Sequence, residues 1–426
     1  MVESLSPPVE EIAPQANAPR WHFDRSFWKF FAAAFFFDAG FALYFFLFNL
    51  YLADLHYSER AIGSVNAAFT VGSLLGTLPA GEFTRRWGIR PLLLLCFSAA
   101  PLLGIARALC PGLTQQISLA FLMGLAMSCW GVCFLPAVAR LTTSSTRSSA
   151  FSLIFAVSVG TSALGGFLCG ELPGWIASGG LVLSAADVKR LLLVASCCVS
   201  ALGVSALLPL RIPSPEHAVS PGAAPELAGW KETWRLDKFL AGLIPCMALW
   251  AGILAVTGTF ASVYLSRQFQ VPLRSLSWIF SCAQILQLGA TLLMPRMIVT
   301  LGRKNAITLV QAAAAAALLA LGLTHAASVA IWLYLALSVA QWMSSPVLYD
   351  LLMHVTPDSH RSTVAAMTMF GNGVSGAVAT ALSGILLSRF GYGVVLPLLS
   401  IAAIVIAVVF RRINRDTEAA PMVEAA

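Results

Sequence analysis

Charge is what this sequence has least of: 11% of its 426 residues are Asp, Glu, Lys or Arg, where soluble domains carry roughly 25%. That scarcity excludes a soluble globular domain. Histidine is also rare, and none of the six falls mid-way along an apolar segment; His325, His354 and His360 sit near segment ends. The nine cysteines lie in or at the ends of apolar segments, and the spacing most suggestive of a metal site, Cys129 with Cys133, falls inside one. They read as small buried thiols, so neither a metal site nor a cofactor is expected. No ATP-binding loop is present, and no nucleophile and base come together at mid-membrane depth, which argues against an intramembrane enzyme. The first nineteen residues, MVESLSPPVEEIAPQANAP, lack the basic stretch and short apolar run of a signal peptide and read as a disordered tail.

Apolar residues make up 58% of the chain, and the mean hydropathy is +0.81. Crossing a hydrocarbon core of roughly 30 Å takes about 20 such residues. Twelve segments qualify: 28–53, 60–83, 91–110, 115–141, 149–171, 188–210, 237–266, 274–298, 304–325, 328–354, 361–387 and 391–411. Lys and Arg placement sets their orientation. With the N-terminus inside, only Arg60, Arg107, Lys189, Arg190, Arg267, Arg274 and Arg389 of the 26 basic residues fall outside, leaving 19 within. Both termini are therefore expected in the cytoplasm, in a multi-pass protein of a bacterial inner (plasma) membrane. The net charge of +7 follows from that topology, and no nucleic-acid partner is implied.

An offset of 214 residues exposes an internal repeat. RWGIRPLLLL (86–95) falls on TLGRKNAITL (300–309), superposing Gly88 on Gly302 and Arg90 on Lys304. TRSSAFSLIF (146–155) falls on HRSTVAAMTM (360–369), Gly170 on Gly384, Arg60 on Arg274, and Tyr51 lands near Tyr264. The expected fold is thus all-α, with twelve transmembrane helices as two six-helix bundles: a tail at 1–27, bundles at 28–210 and 237–411, a linker at 211–236 and a tail at 412–426. Within 211–239, Trp230, Trp234 and Phe239 alternate with Lys231, Arg235 and Lys238. That pattern suits either a short interfacial helix or a plain tether.

A six-plus-six repeat with a long central connection resembles the major facilitator superfamily, and the loop between helices 2 and 3 carries the likeness. The family's motif there is Gly-x-Leu-Ala-Asp-Arg-x-Gly-Arg-Lys. Gly81, Arg86, Gly88 and Arg90 fit it, while Arg85 stands where the acid is expected. The resemblance implies that the acid latches the two halves in the outward-facing state; Glu82 is the available substitute, beside Arg86 and Arg90. The family's antiporter signature in helix 5, with its Gly-Pro pair, is not evident in GTSALGGFLCGELPG (160–174).

Asp38 is the one acid deep inside an apolar segment. It lies about eleven residues into helix 1, roughly 16 Å at the helical rise. No Lys or Arg occurs at that depth, and the repeat places Ala251 and Gly252 at the equivalent positions. A charge there is costly unless it faces a cavity or a partner. Asp38 is therefore a candidate proton-coupling site or counter-charge for a cationic substrate; the alternative is a protonated acid bonded to a neighbouring helix.

The resemblance implies a central cavity lined by helices 1, 4, 7 and 10. The candidates for substrate contact are Asp38, Phe45 and Asn49 on helix 1, Trp130 and Phe134 with Met127 on helix 4, and Trp250 and Thr257 on helix 7. Helix 10 offers Gln341, Trp342 and Ser345, and adjacent helices add Asn66, Gln284, Gln287 and Asn372. Phosphates or carboxylates would call for Arg or Lys at the site, so a small neutral or cationic, partly hydrophobic molecule is expected, with sugars also fitting the amides and tryptophans. Aligning Pro136 with Pro346, at an offset of 210, sets Arg140 against Asp350, whereas the offset of 214 sets it against His354; the former suggests a cytoplasmic ion pair between the halves, which Tyr349 and His354 could tune. The expected activity is proton-coupled secondary transport by alternating access, as a monomer in the lipid bilayer. Efflux is favoured over uptake of a nutrient such as a sugar; a non-transporting sensor on the same fold is the third reading.

Overall fold

The computed structural model describes residues 23–179, 184–212, 238–356 and 361–413. Among the described residues, twelve helices are long and apolar enough to cross a membrane. They are α1 (Arg25–Asp54), α2 (Glu59–Trp87), α3 (Ile89–Leu109), α4 (Leu113–Arg140), α5 (Ser144–Ser178) and α6 (Ala185–Leu207), followed by α7 (Lys238–Phe269), α8 (Leu273–Leu301), α9 (Arg303–Leu323), α10 (Ala327–Val355), α11 (Arg361–Phe390) and α12 (Tyr392–Ile413). Helices suit the bilayer because each satisfies its own backbone groups. Twelve crossings return the chain to the face it left, so α1 begins and α12 ends on what we call the terminal face; the opposite one is the far face. The stretch around Trp230 and Trp234, read as either an interfacial helix or a tether, lies outside the described residues.

The repeat recurs in detail. Both α2 and α8 have 29 residues and both α3 and α9 have 21, each pair offset by 214. Gly88 (φ 84°) and Gly302 (φ 79°) end the former pair and begin the latter, a backbone conformation that side chains other than glycine resist. α1 and α7 begin 213 residues apart, and their tyrosines act alike: the Tyr51 hydroxyl donates to the Ala108 carbonyl (2.8 Å), and the Tyr264 hydroxyl to the Leu321 carbonyl (2.6 Å), one residue short of the 214 equivalent. Because α4 and α10 begin at Leu113 and Ala327, the offset of 214 persists there, and Arg140 falls on His354.

The halves meet where α2 packs on α11 and α5 on α8, with α7 also touching α1. These crossings are closest toward the far face. A Cβ on Gly384 would stand 2.7 Å from the Glu59 carbonyl oxygen and 3.2 Å from the Cα of Gly63; one on Gly170 would stand 2.9 Å from the Ser277 Cβ. With the 214 offset Gly170 maps to Gly384 and Gly63 to Ser277, so the two seams are copies of one contact. Absence of a side chain lets the helix backbones approach, a usual device where no aqueous hydrophobic force acts between helices.

Polar contacts reinforce the same end. Arg267 at the end of α7 pairs with Glu59 (2.6 Å) and donates to the Tyr57 and Ala53 carbonyls (2.6 and 3.4 Å), closing over the α1–α2 turn. Arg274 on α8 pairs with Glu171 on α5 (2.8 Å). Charge-assisted bonds to the partly buried Arg267 guanidinium are worth about 1.5–3 kcal/mol each, whereas the Arg274 side chain is largely exposed and its pair is screened by solvent. Arg267→Ala should therefore loosen the far face, raising hydrogen exchange at 52–60 and 262–270 by about tenfold in the opening equilibrium. Unchanged exchange at both segments would show that the pair does not hold the halves.

Candidate functional site

Between the halves, below these seams, lies a cavity of about 360 Å³. From α1 it is bounded by Ala42, Phe45, Phe46 and Asn49; from α7 by Thr257; from α8 by Phe280, Gln284 and Gln287; from α10 by Tyr334, Ser338, Gln341 and Trp342. A second chamber of about 450 Å³ shares Ser162, Gln284, Gln287 and Trp342 and continues along α5, α8 and α10 past Ser345 to Tyr349, toward the terminal face. None of the described residues lining either chamber is charged. Aromatic walls with a few convergent amides are the usual chemistry of a small-molecule site.

The amides are held in place by neighbours. Asn49 closes the inner end: its Nδ2 donates to the Thr259 carbonyl across the halves (3.1 Å), and its Oδ1 accepts from Asn66 Nδ2 (2.9 Å). Thr257 Oγ1 donates to Gln341 Oε1 (3.0 Å), joining α7 to α10. Gln284 and Gln287 lie three residues apart on α8 and present side by side.

Asp38 stands on the same face of α1 as Ala42, Phe45 and Asn49, at spacings of four, seven and eleven residues, one turn nearer the terminal face. It is half-buried, and among the described residues neither a hydrogen bond nor an ion pair reaches its carboxylate. The packing alternative, in which a neighbouring helix binds the acid, has no such partner among those residues.

Of the residues expected at the site, Phe45, Asn49, Thr257, Gln284, Gln341 and Trp342 line the first chamber and Ser345 the second. Trp130 lies instead in a stack inside the first bundle, with ring centroids 5.6 Å from Phe37, 5.4 Å from Phe97 and 4.9 Å from Phe134. Trp250 is buried in the second bundle at 2% exposure. Asn372 reaches the second chamber indirectly, donating to the Tyr349 hydroxyl (2.9 Å). Tyr334 and Ser338 were missed, although their spacing of seven and three residues before Gln341 puts them on its face.

On the terminal face, Glu82 accepts from Arg85 (2.7 Å) and from Arg86 on its own helix, and Arg90 donates to the Leu208 carbonyl (2.6 Å). The contacts these loop-motif side chains make are thus within the first bundle. Arg140 ends α4; Asp350 belongs to α10, with its side chain outside the described residues. Arg107, counted outside on sequence, is buried over the Phe48 ring at 3.9 Å with Gln116 and Met123 beside it; a cation on an aromatic face is stabilised there by the ring quadrupole.

A family model described as Major Facilitator Superfamily matches residues 30–380, most of the chain. The chain belongs to this superfamily. Its members are transporters, and the solved structures it resembles agree in fold. The nucleoside transporter NupG is 15% identical with a TM-score of 0.74, covering 92% of this chain and 100% of that one. A D-xylose–proton symporter is 16% identical with a TM-score of 0.70, covering 90% and 95%. A bacterial homologue of the human lysosomal transporter Spinster, inward-facing and occupied, is 11% identical with a TM-score of 0.71, covering 91% and 95%. No curated protein sequence matches the chain.

Within this superfamily fold, Asn49 ties cavity to closure. Asn49→Ala removes a buried cross-half bond and leaves Asn66 one acceptor short, a loss of about 1–3 kcal/mol. The midpoint of thermal unfolding should fall in Asn49→Ala and be largely restored by the added change Asn66→Ala. Equal midpoints for wild type and the single variant would show the network to be slack.

Proposed function

We propose that this chain is a proton-coupled secondary transporter carrying a small neutral or cationic, partly hydrophobic organic molecule through the cavity between its halves. The observation that carries the reading is Asp38: an acid free of hydrogen-bond and ion-pair partners among the described residues, on the helix face that continues into an uncharged aromatic and amide cavity. Protonation of such an acid changes the cost of moving it between environments of different polarity. The rocking of the halves is therefore biased by the proton gradient, in the manner of two-bundle transporters with a midplane site. In this reading the terminal face is cytoplasmic, both termini lie inside a bacterial inner membrane, the monomer is the working unit, and the structure stands inward-facing.

The aromatic wall and single acid favour export. The set of uncharged amides, Asn49, Gln284, Gln287 and Gln341, favours a second reading, inward symport of a polyhydroxylated nutrient such as a sugar or nucleoside; a lining of donors and acceptors without charge is suited to hydroxyl groups. Both readings share one mechanism and differ in direction.

In proteoliposomes with an imposed pH gradient, screened with radiolabelled sugars, nucleosides and lipophilic cations, wild type should accumulate a substrate against its gradient. Asp38→Asn should retain exchange at equal concentrations while losing gradient-driven accumulation by about 100-fold or more. Accumulation by Asp38→Asn driven by the pH gradient alone refutes the coupling role. The terminal-face gate has its own test: Arg140→Asp and Asp350→Arg, each inactive alone, should recover transport in combination, and continued inactivity of the double variant argues against an Arg140–Asp350 pair.

A further inference from the structure

The repeat makes the two bundle cores comparable position by position, and at one place they differ in kind. In the first bundle, Phe37, Phe97 and Trp130 form a dry stack, with Phe37 and Phe97 parallel at 4.0 Å. The equivalent positions in the second bundle, at the 213 register of α1 and α7 and the 214 register of the other helices, are Trp250, Gln311 and Ser344. An indole is present in each core, but it comes from α4 in one and from α7 in the other. The aromatic contributed by α3 has become an amide on α9.

All three residues are nine-tenths or more buried, and each holds a polar atom without a hydrogen-bond partner among the described residues: Trp250 Nε1, Gln311 Oε1 and Ser344 Oγ. A fourth, Gln341 Nε2, lies one turn before Ser344 on the same face of α10. Orphaned buried polar atoms are rare and costly, and the equivalence with the touching rings of Phe37, Phe97 and Trp130 sets Trp250, Gln311 and Ser344 on three helices at one level of the second bundle.

Their chemistry selects the occupant. The indole N–H and the Gln341 amide nitrogen only donate, Gln311 Oε1 only accepts, and the Ser344 hydroxyl does both. A metal cation is repelled by the donors and an anion by the acceptor. An amphoteric molecule satisfies every atom. We propose that the core of the second bundle binds internal water, accepting from Trp250 and donating to Gln311 with Ser344 as third partner, and that this water reaches the transport cavity through Gln341, whose Oε1 already holds Thr257 on the cavity wall. At this level the bundle that carries Asp38 thus has a stack of rings and its partner a hydrated site. The site stands apart from the coupling role given to Asp38 and survives the failure of that role.

Radiolytic hydroxyl-radical footprinting reads the site, since a radical formed from bound water oxidises the side chain beside it. In purified full-length protein, Trp250, at 2% exposure, should gain oxygen at a rate within about tenfold of Trp87, at 63% exposure, as expected of an ordered internal water. In Gln311→Leu with Ser344→Ala the Trp250 rate should fall by at least about threefold, because the water loses two of its partners. Should that variant fail to fold, rapid mixing of wild type into H₂¹⁸O before irradiation replaces it, and ¹⁸O incorporated at Trp250 should lag that at Trp87. An unoxidised Trp250 in wild type overturns the proposal, as does a rate unchanged in the double variant or an ¹⁸O uptake as fast as at Trp87.

Discussion

The structure depends on how closely two helix backbones can approach at the far face. In a bilayer, apolar side chains gain nothing by leaving lipid for protein, so the halves must cohere through close packing and a few polar bonds. The Gly63–Gly384 and Gly170–Ser277 contacts supply the packing, and Arg267 and Arg274 bond across the two seams. Because both seams tighten at one end, the space between the halves widens toward the other, and the cavity is a consequence of where the glycines lie. A side chain at Gly384 would meet the Glu59 carbonyl, so the geometry of the seam and the shape of the cavity cannot be changed separately.

That arrangement divides labour between the halves. The first contributes Asp38 and an aromatic wall around it; the second contributes most of the amides, on α8 and α10. Asn49 belongs to both, since it lines the inner end of the cavity and bonds the Thr259 carbonyl across the halves. The asymmetry extends inward, where the stacked rings beside Asp38 have polar counterparts in the other bundle.

Much of the fold was legible in the sequence because the bilayer imposes a strong signal. Each span is longer than the hydrocarbon core requires, so its existence is readable while its ends are not: α5 runs to 35 residues, well past the apolar segment at 149–171. The repeat was legible because Gly88 and Gly302 must both adopt positive φ. The site was legible only by helix face. Periodicity put Phe45 and Asn49 on the face of Asp38 but could not say which neighbour faced Trp130, whose ring turns into its own bundle. It also gave no sign that Arg267 would meet Glu59, since an ion pair 208 residues apart leaves no local pattern. Of the two alignments open to Arg140, the helix starts favour the 214 one with His354, since proline recurs in these helices without marking equivalent positions.

The central claim is that the halves move as two bodies about the cavity, biased by the protonation of Asp38. Paired spin-label distances test it most directly, with one pair at Ser58 and Gln270 on the far face and another at Trp87 and Thr300 on the terminal face, in a background cleared of the nine native cysteines. The account predicts that a change of pH lengthens one distance while shortening the other, and that Asp38→Asn holds both fixed across the pH range. Distances that respond to pH equally with and without the Asp38 carboxyl, or that lengthen together, contradict it.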